Sequence, residues 1–272
     1  MTPVFQSLVL GVVQGITEFL PISSDGHLAL VYKLFGSAPS LTYEVLLHGA
    51  TLLAMIVFFW RDILRLLRSL ALPFNPDTAD DRRLVLVIVL ATGISGVIAL
   101  ALGPVIEPLA ASMTWVGVFF LCTAGALFVA EALASRVAHL DHAELISWPK
   151  TTFVAVMQGL AVLPGLSRSG TTIAAGVLSG LSRENAARFS FLLGIPIIAL
   201  AAAKDVLDVA QGTGGALPGS LAAATGFVAA GLSGYAAISF LLGVVKRHRL
   251  TGFAIYTLVL GSIVFAWGLL GG

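Results

Sequence analysis

The chain has 272 residues, 58% of them hydrophobic and 11% charged, with a mean hydropathy of +0.99, against roughly 25% charged residues in soluble globular domains. That composition excludes a soluble globular protein and identifies an integral membrane protein. The net charge of +1 comes from basic residues in short connections, which argues against a nucleic-acid partner, and the single cysteine, Cys122, excludes an intramolecular disulfide and a multi-cysteine metal site.

No Lys or Arg precedes Lys33, so the first apolar run lacks the basic start of a signal peptide and is expected in the mature protein. In chain order the apolar segments are 4–20, 24–35, 42–60, 84–103, 113–133, 152–163, 168–179, 186–203, 220–242 and 252–270. Segments 42–60, 84–103, 113–133, 186–203, 220–242 and 252–270 approach or reach the roughly 20 residues that a helix needs to cross the hydrocarbon core. Helix is the default, because an isolated strand cannot satisfy its backbone in lipid. The other four form two pairs, each joined by a short Pro/Gly/Ser knot. Helices of about 12 residues reach roughly halfway across a membrane, so each pair is predicted to be a re-entrant helical hairpin with its knot near the midplane. Cys122, within an apolar run, is expected to behave as a small core hydrophobe.

The basic residues orient this arrangement. With the 61–83 connection in the cytoplasm, Arg61, Arg65, Arg68, Arg82, Arg83, Arg136, Lys150, Arg183, Arg188, Lys246, Arg247 and Arg249 fall inside, Lys33 and Lys204 outside, and Arg168 in the second knot. The positive-inside rule supports that assignment, with both termini outside. The two hairpins then enter from opposite sides. The sequence echoes this: Gln14-Gly15 against Gln158-Gly159, Pro21 against Pro164, Ser23 or Ser24 against Ser167, and Gly26 against Gly170, about 144 residues apart. The expected fold is all-α: a polytopic membrane protein with six full transmembrane helices plus two re-entrant helical hairpins in an inverted-topology repeat. It forms one membrane domain over 1–272, with halves at about 1–135 and 150–272. Such repeats usually place a ligand site where the broken helices meet.

The chemistry lies in the knots. QGITEFLPISSDGHL, Gln14 to Leu28, puts Gln14 and Glu18 on one helix face before Pro21 ends the helix. Ser23 or Ser24 can cap the next helix, and Ser24 and His27 lie three apart in its first turn. VLPGLSRSGTT, Val162 to Thr172, supplies Ser167, Arg168, Ser169, Gly170 and Thr172. A guanidinium at membrane depth is costly unless paired or hydrated and marks a functional site by default, and its planar fork suits phosphate. Two helix N-termini converging at the midplane also favour an anion. The residues therefore describe a phosphate site, with Arg168, Ser167, Ser169 and two helix ends as the grip. Glu18, Ser24 and His27 form an acid/base and nucleophile set.

Duller readings compete at several positions. Ser23 and Ser169 can be simple caps, Thr17 and Thr172 can serve packing, and Glu44 and His48 read as an interhelical bond more readily than as catalysts. Glu107 and Glu131 sit near span ends, where a solvated carboxylate is expected.

These two stretches resemble the signature motifs of the bacitracin-resistance type of undecaprenyl-pyrophosphate phosphatase, and the order of hydrophobic segments is similar over essentially the whole chain. The resemblance implies a multi-pass enzyme of the bacterial plasma membrane, and the count of basic residues predicts that its site opens to the outer side. Such an enzyme hydrolyses the phosphoric anhydride of undecaprenyl pyrophosphate, recycles the cell-wall lipid carrier and confers bacitracin resistance. It implies a divalent cation, Mg²⁺ or Ca²⁺. The family's Glu/Gln-x-x-x-Glu element falls on Gln14 and Glu18, its serine and histidine on Ser24 and His27, and its Ser-Arg-Ser-Gly element on Ser167, Arg168, Ser169 and Gly170. Gln14 leaves one carboxylate fewer for the metal than Glu would, and Asp25 can compensate beside Glu18. The expected partners are a polyprenyl pyrophosphate lipid and the bilayer, with a homodimer left open. Three routes remain: Ser24 attacking with His27 as base, His27 activating a water, or His27 itself attacking. The inverted repeat by itself suggests a rival, a transporter or flippase for an anionic polyprenyl phosphate lipid.

Overall fold

The computed structural model describes residues 2–136, 143, 146–212 and 217–271, and these form eleven α-helices with two short 3-10 turns and no strand among the described residues. The first is α1, Pro3–Phe19, opened by Pro3 and by the Thr2 hydroxyl accepting from Phe5 N. It stops just before Pro21, whose ring and missing N–H would break a continuing helix. After four residues α2, Ser24–Phe35, begins under a Ser23 cap and ends on Gly36 at φ 62°, the left-handed position that glycine fills without a Cβ penalty. Then come α3, Leu41–Phe58, and α4, Trp60–Ala71.

The second of these differs from expectation. Residues 61–71 were expected to be part of a connection, yet they form a helix with Arg61, Asp62, Arg65 and Arg68 set against Leu64, Leu67 and Leu70. That separation of charge from apolar side chains fits a helix lying in the membrane interface. Arg65 approaches Asp62 at 3.7 Å and Asp81 at 3.4 Å, and Arg188 donates to Asp62 at 3.1 Å.

α5, Ala79–Ala110, runs beyond the expected 84–103 at both ends and holds Pro104 and Pro108 inside it. Prolines persist in membrane helices where neighbouring groups re-satisfy the freed carbonyls. Next is α6, Met113–Leu133. A second pair of short helices follows, α7, Trp148–Leu160, and α8, Arg168–Leu178, again separated by a proline-containing knot. The chain closes with α9, Arg183–Ala210, α10, Ser220–Arg247, and α11, Thr251–Leu269.

Among the described residues six helices are long and apolar enough to cross a membrane, those over 41–58, 76–110, 113–136, 183–210, 220–247 and 251–269. They match the six expected spans, and large side chains such as Leu100, Leu232, Phe240 and Ile263 stand exposed on them, as lipid contact allows. α1 packs along α10, α6 along α11, and α7 along α5. Small residues bring these axes close. A Cβ at Gly11 would strike the Gly226 carbonyl, one at Gly15 would strike Ser233 Oγ, and one at Gly117 would strike the Phe265 backbone. Backbone approach of this kind drives helix association in lipid, where the hydrophobic effect offers little.

Two expectations fail at the periphery. Cys122 is exposed rather than buried. Glu131 is not a solvated carboxylate: it accepts from Arg183 Nε and Nη2, both at 2.6 Å, and from Leu250 N at 2.9 Å. This bidentate pair ties α6 to α9 and to the α10–α11 connection, and planar two-point geometry is the strong form of such a contact.

Candidate active site

The two knots meet. Ser169, in the first turn of α8, donates its hydroxyl to Leu20 O in the first knot at 2.9 Å. Ser167 caps α8 by accepting from Gly170 N at 3.0 Å, and its own N–H donates to Thr123 Oγ1 of α6 at 3.0 Å. The starts of α2 and α8 thus belong to one site, and the first N–H groups of each helix have no acceptor within the helix.

Glu18 is the centre of this arrangement, with its side chain 7% exposed. One carboxylate oxygen, Oε1, accepts from Arg168 Nη2 at 2.6 Å. The other, Oε2, accepts from Ser24 Oγ at 2.6 Å and from Gln14 Nε2 at 3.3 Å. Among the described residues Arg168 Nη1 is buried and has no hydrogen-bond partner, and neither has Gln14 Oε1. Unpartnered buried polar atoms are few in folded proteins, and each calls for an explanation. Here a donor and an acceptor flank the same carboxylate, as a bound anion and its counter-charge would require.

His27 stands differently from its expected place. Its Nδ1 donates to Ser23 O at 2.6 Å, since a carbonyl can only accept, and Nε2 meets the Tyr256 hydroxyl of α11 at 2.8 Å. Its ring stacks on Tyr256 at 5.8 Å and meets Phe120 edge-on at 5.3 Å. Ser24 and His27 are therefore not bonded to each other. Three residues of helical spacing put them on one side of the turn, but Ser24 faces back across the knot to Glu18.

The remaining expected residues take varied positions. Ser23 caps α2, accepting from Gly26 N at 3.4 Å, and holds φ 72°. Gly26 lies so close to Phe120 that a Cβ would come 2.5 Å from Cζ. Ser169 and Ser167 are buried with their hydroxyls 3.2 Å apart. Gly170 fits between Ser167 and Thr123, where a Cβ would lie 3.0 Å from each. Thr172 is turned away from the site: its hydroxyl donates to Arg168 O at 2.7 Å or pairs with Ser190 Oγ at 2.6 Å. Asp25 is half exposed at the mouth.

One residue read as structural belongs with the site. His48 Nδ1 donates to Glu44 O at 2.9 Å, which fixes the ring, and Nε2 lies 3.9 Å from both Glu18 Oε2 and Asp25 Oδ1. The spacing of Glu44 and His48 favoured an interhelical bond over catalysis and named no partner. The approach to Glu18 depends on how α3 packs beside α1, which no local spacing reveals. Tyr256, 229 residues beyond His27, was missed for the same reason.

A family model described as "Bacitracin resistance protein BacA" matches residues 7–263. A protein of Carboxydothermus hydrogenoformans is 39% identical over 96% of this chain and 95% of its own. One of Rubrobacter xylanophilus is 39% identical over 98% of each, and one of Methanosphaera stadtmanae is 37% identical over 97% of each. All three are named undecaprenyl-diphosphatase.

Proposed function

The chain belongs to the BacA family of bacitracin resistance proteins, and from that premise we propose that it is a membrane hydrolase. It converts undecaprenyl pyrophosphate to undecaprenyl phosphate and inorganic phosphate, a reaction that recycles the lipid carrier of cell-wall synthesis. The observation that carries the site assignment is the Ser24–Glu18–Arg168 chain, with contacts of 2.6 Å on the two oxygens of one buried carboxylate.

In this reading the diphosphate lies against Arg168 Nη1 and the opening N–H groups of α2 and α8, which supply donors where negative charge develops. Ser24 Oγ attacks the terminal phosphorus and passes its proton to Glu18 Oε2, which already accepts it as a hydrogen bond. The bond from that phosphorus to the bridging oxygen breaks, and the lipid monophosphate departs. Water then hydrolyses the phosphoserine, with Glu18 returning the proton. His27, whose Nδ1 hydrogen is spent on Ser23 O, holds the turn that carries Ser24 rather than removing its proton.

The oxygen donors here fit a hard divalent cation. Gln14 Oε1 is buried without a partner, and the carboxylates of Glu18 and Asp25 both lie near His48 Nε2. Among the described residues no group of three His, Cys, Asp or Glu could hold a metal alone. Glu18 and Asp25, with Gln14, would hold Mg²⁺ or Ca²⁺ together with substrate phosphate oxygens, the usual mode for Mg²⁺. When bound, such an ion neutralises phosphate charge.

The short helices α1–α2 and α7–α8 are re-entrant hairpins in this account, related by an inverted repeat with halves at about 1–135 and 150–272. The parallel pairing of α1 with α10 and of α7 with α5 supports it, as does the segregation of basic residues, which puts both termini and the site mouth outside. The test is direct. Purified protein in detergent with Mg²⁺ or Ca²⁺ should release inorganic phosphate from a polyprenyl pyrophosphate. No release across divalent ions would reject the hydrolase and favour lipid transport.

A further inference from the structure

Beside the first knot lies an open cavity of about 650 Å³ that meets the site at Tyr256 and Leu20 but extends away from Glu18 and Arg168. Its walls are Leu20 and Ile22 of the knot, Phe240 and Val244 of α10, and Phe253 and Tyr256 of α11. At the other end it reaches His248 and Arg249, in the connection between α10 and α11. Because α10 and α11 both span the membrane, that connection sits at a membrane–water boundary. The cavity therefore runs from a cationic rim at the boundary to an apolar end near the knot. From Arg249 to Tyr256 is seven residues of chain, mostly helical, or about 10 Å at 1.5 Å per residue.

Two other cations at this corner have partners. Arg183 is engaged by Glu131, and Lys246 by Glu184 at 3.1 Å. Arg249 and His248 are exposed, and their side chains make no hydrogen bond or close ion pair among the described residues, although the Glu131 carboxylate acts on Arg249 at longer range. The cavity thus offers an apolar slot topped by the His248 ring and the Arg249 guanidinium, neither hydrogen-bonded through its side chain among the described residues.

We propose that this slot binds one anionic glycerophospholipid, its phosphate at Arg249 and His248 and one acyl chain between Phe240, Val244 and Phe253, ending at Tyr256. The direction of the charge decides the occupant. A substrate tail entering from Glu18 and Arg168 would end its apolar terminus against Arg249 and His248, at the wet end. A membrane phospholipid enters with its phosphate at the boundary and its chain toward the midplane, matching both ends. Basic residues at the membrane surface draw anionic lipids in this way. The proposal rests on the cavity and its rim, not on the phosphatase reading, so either can fail without the other.

The test is native mass spectrometry of the full chain released from nanodiscs of phosphatidylglycerol or of phosphatidylcholine. Wild type should retain one phosphatidylglycerol and no phosphatidylcholine. The double variant Arg249→Gln/His248→Gln should retain it roughly fivefold to tenfold less, as expected for removing one surface cation and a neighbouring phosphate donor. Val244→Trp, which fills the slot and keeps the rim, should also lose it while eluting as a folded monodisperse protein. Equal retention by wild type and the double variant, or equal retention of both lipids, would overturn the proposal. So would a retained polyprenyl phosphate that Val244→Trp removes and the rim variant does not.

Discussion

Arg168 crosses directly over Gly194: a Cβ on residue 194 of α9 would come 3.0 Å from the guanidinium carbon and closer still to Nη1. Gly194 is thus the space in which the guanidinium lies as it reaches Glu18. Gly194→Ala should shift Arg168 and lower turnover by about tenfold to a hundredfold, the usual consequence of a displacement near 1 Å in a positioned group. Phosphate release from the purified variant measures this, and wild-type turnover would show that Arg168 has room to spare.

Glu18→Gln removes the negative charge opposite Arg168 and the base that takes the Ser24 proton, and leaves one acceptor oxygen where there were two. Loss of a general base typically lowers rate by about 10²–10⁴, and breaking a buried ion pair destabilises by about 3–5 kcal/mol. Turnover and thermal unfolding in detergent should both fall. A stable variant with near-normal turnover would remove Glu18 from the reaction.

Tyr256→Phe tests the place of His27. The variant frees His27 Nε2 without touching Ser24 or Glu18. Turnover should drop by no more than about tenfold, in line with one lost hydrogen bond of about 1 kcal/mol. A loss as deep as that of Glu18→Gln would instead make His27 Nε2 a direct participant.

Much of the site was legible in sequence because it is written in breaks. Pro21 and Pro164 lie in the breaks between short helices and serines follow them, so the knots and the Ser23 cap could be placed from residue type alone, while the cap of α8 is Ser167 rather than the expected Ser169. The six spans were legible from length and apolarity. What escaped was set by packing or by mixed signals. Arg61, Arg65 and Arg68 carried the spacing of an amphipathic helix, but their charge made the stretch read as a loop. Ser24 was expected to pair with His27 because three residues of helix put them together, whereas the fold turns Ser24 toward Glu18 across the knot. His48 and Tyr256 reach the site only through the seating of α3 and α11.

Ser23 is the one non-glycine residue with positive φ among the described residues, at 72°. Such a backbone costs on the order of 1–3 kcal/mol, while replacing a serine cap by glycine costs only a few tenths. Ser23→Gly should therefore raise or preserve the unfolding temperature while loosening the turn that presents Ser24, so that turnover falls. A lower unfolding temperature would contradict the strain.

Asp25 is half exposed beside His48, and Asp25→Asn should raise the concentration of Mg²⁺ or Ca²⁺ needed for half-maximal turnover by several-fold, because a hard cation loses a charged oxygen. Titration of phosphate release against either ion reads the change. An unaltered cation requirement would place Asp25 outside the metal's surroundings.

The join between the knots depends on a carbonyl: Ser169 donates to Leu20 O, not to the Leu20 side chain. Every amino acid presents that oxygen. Exchange of Leu20 for another apolar side chain thus reshapes the wall of the adjoining cavity while leaving in place the contact that registers α8 against the first knot.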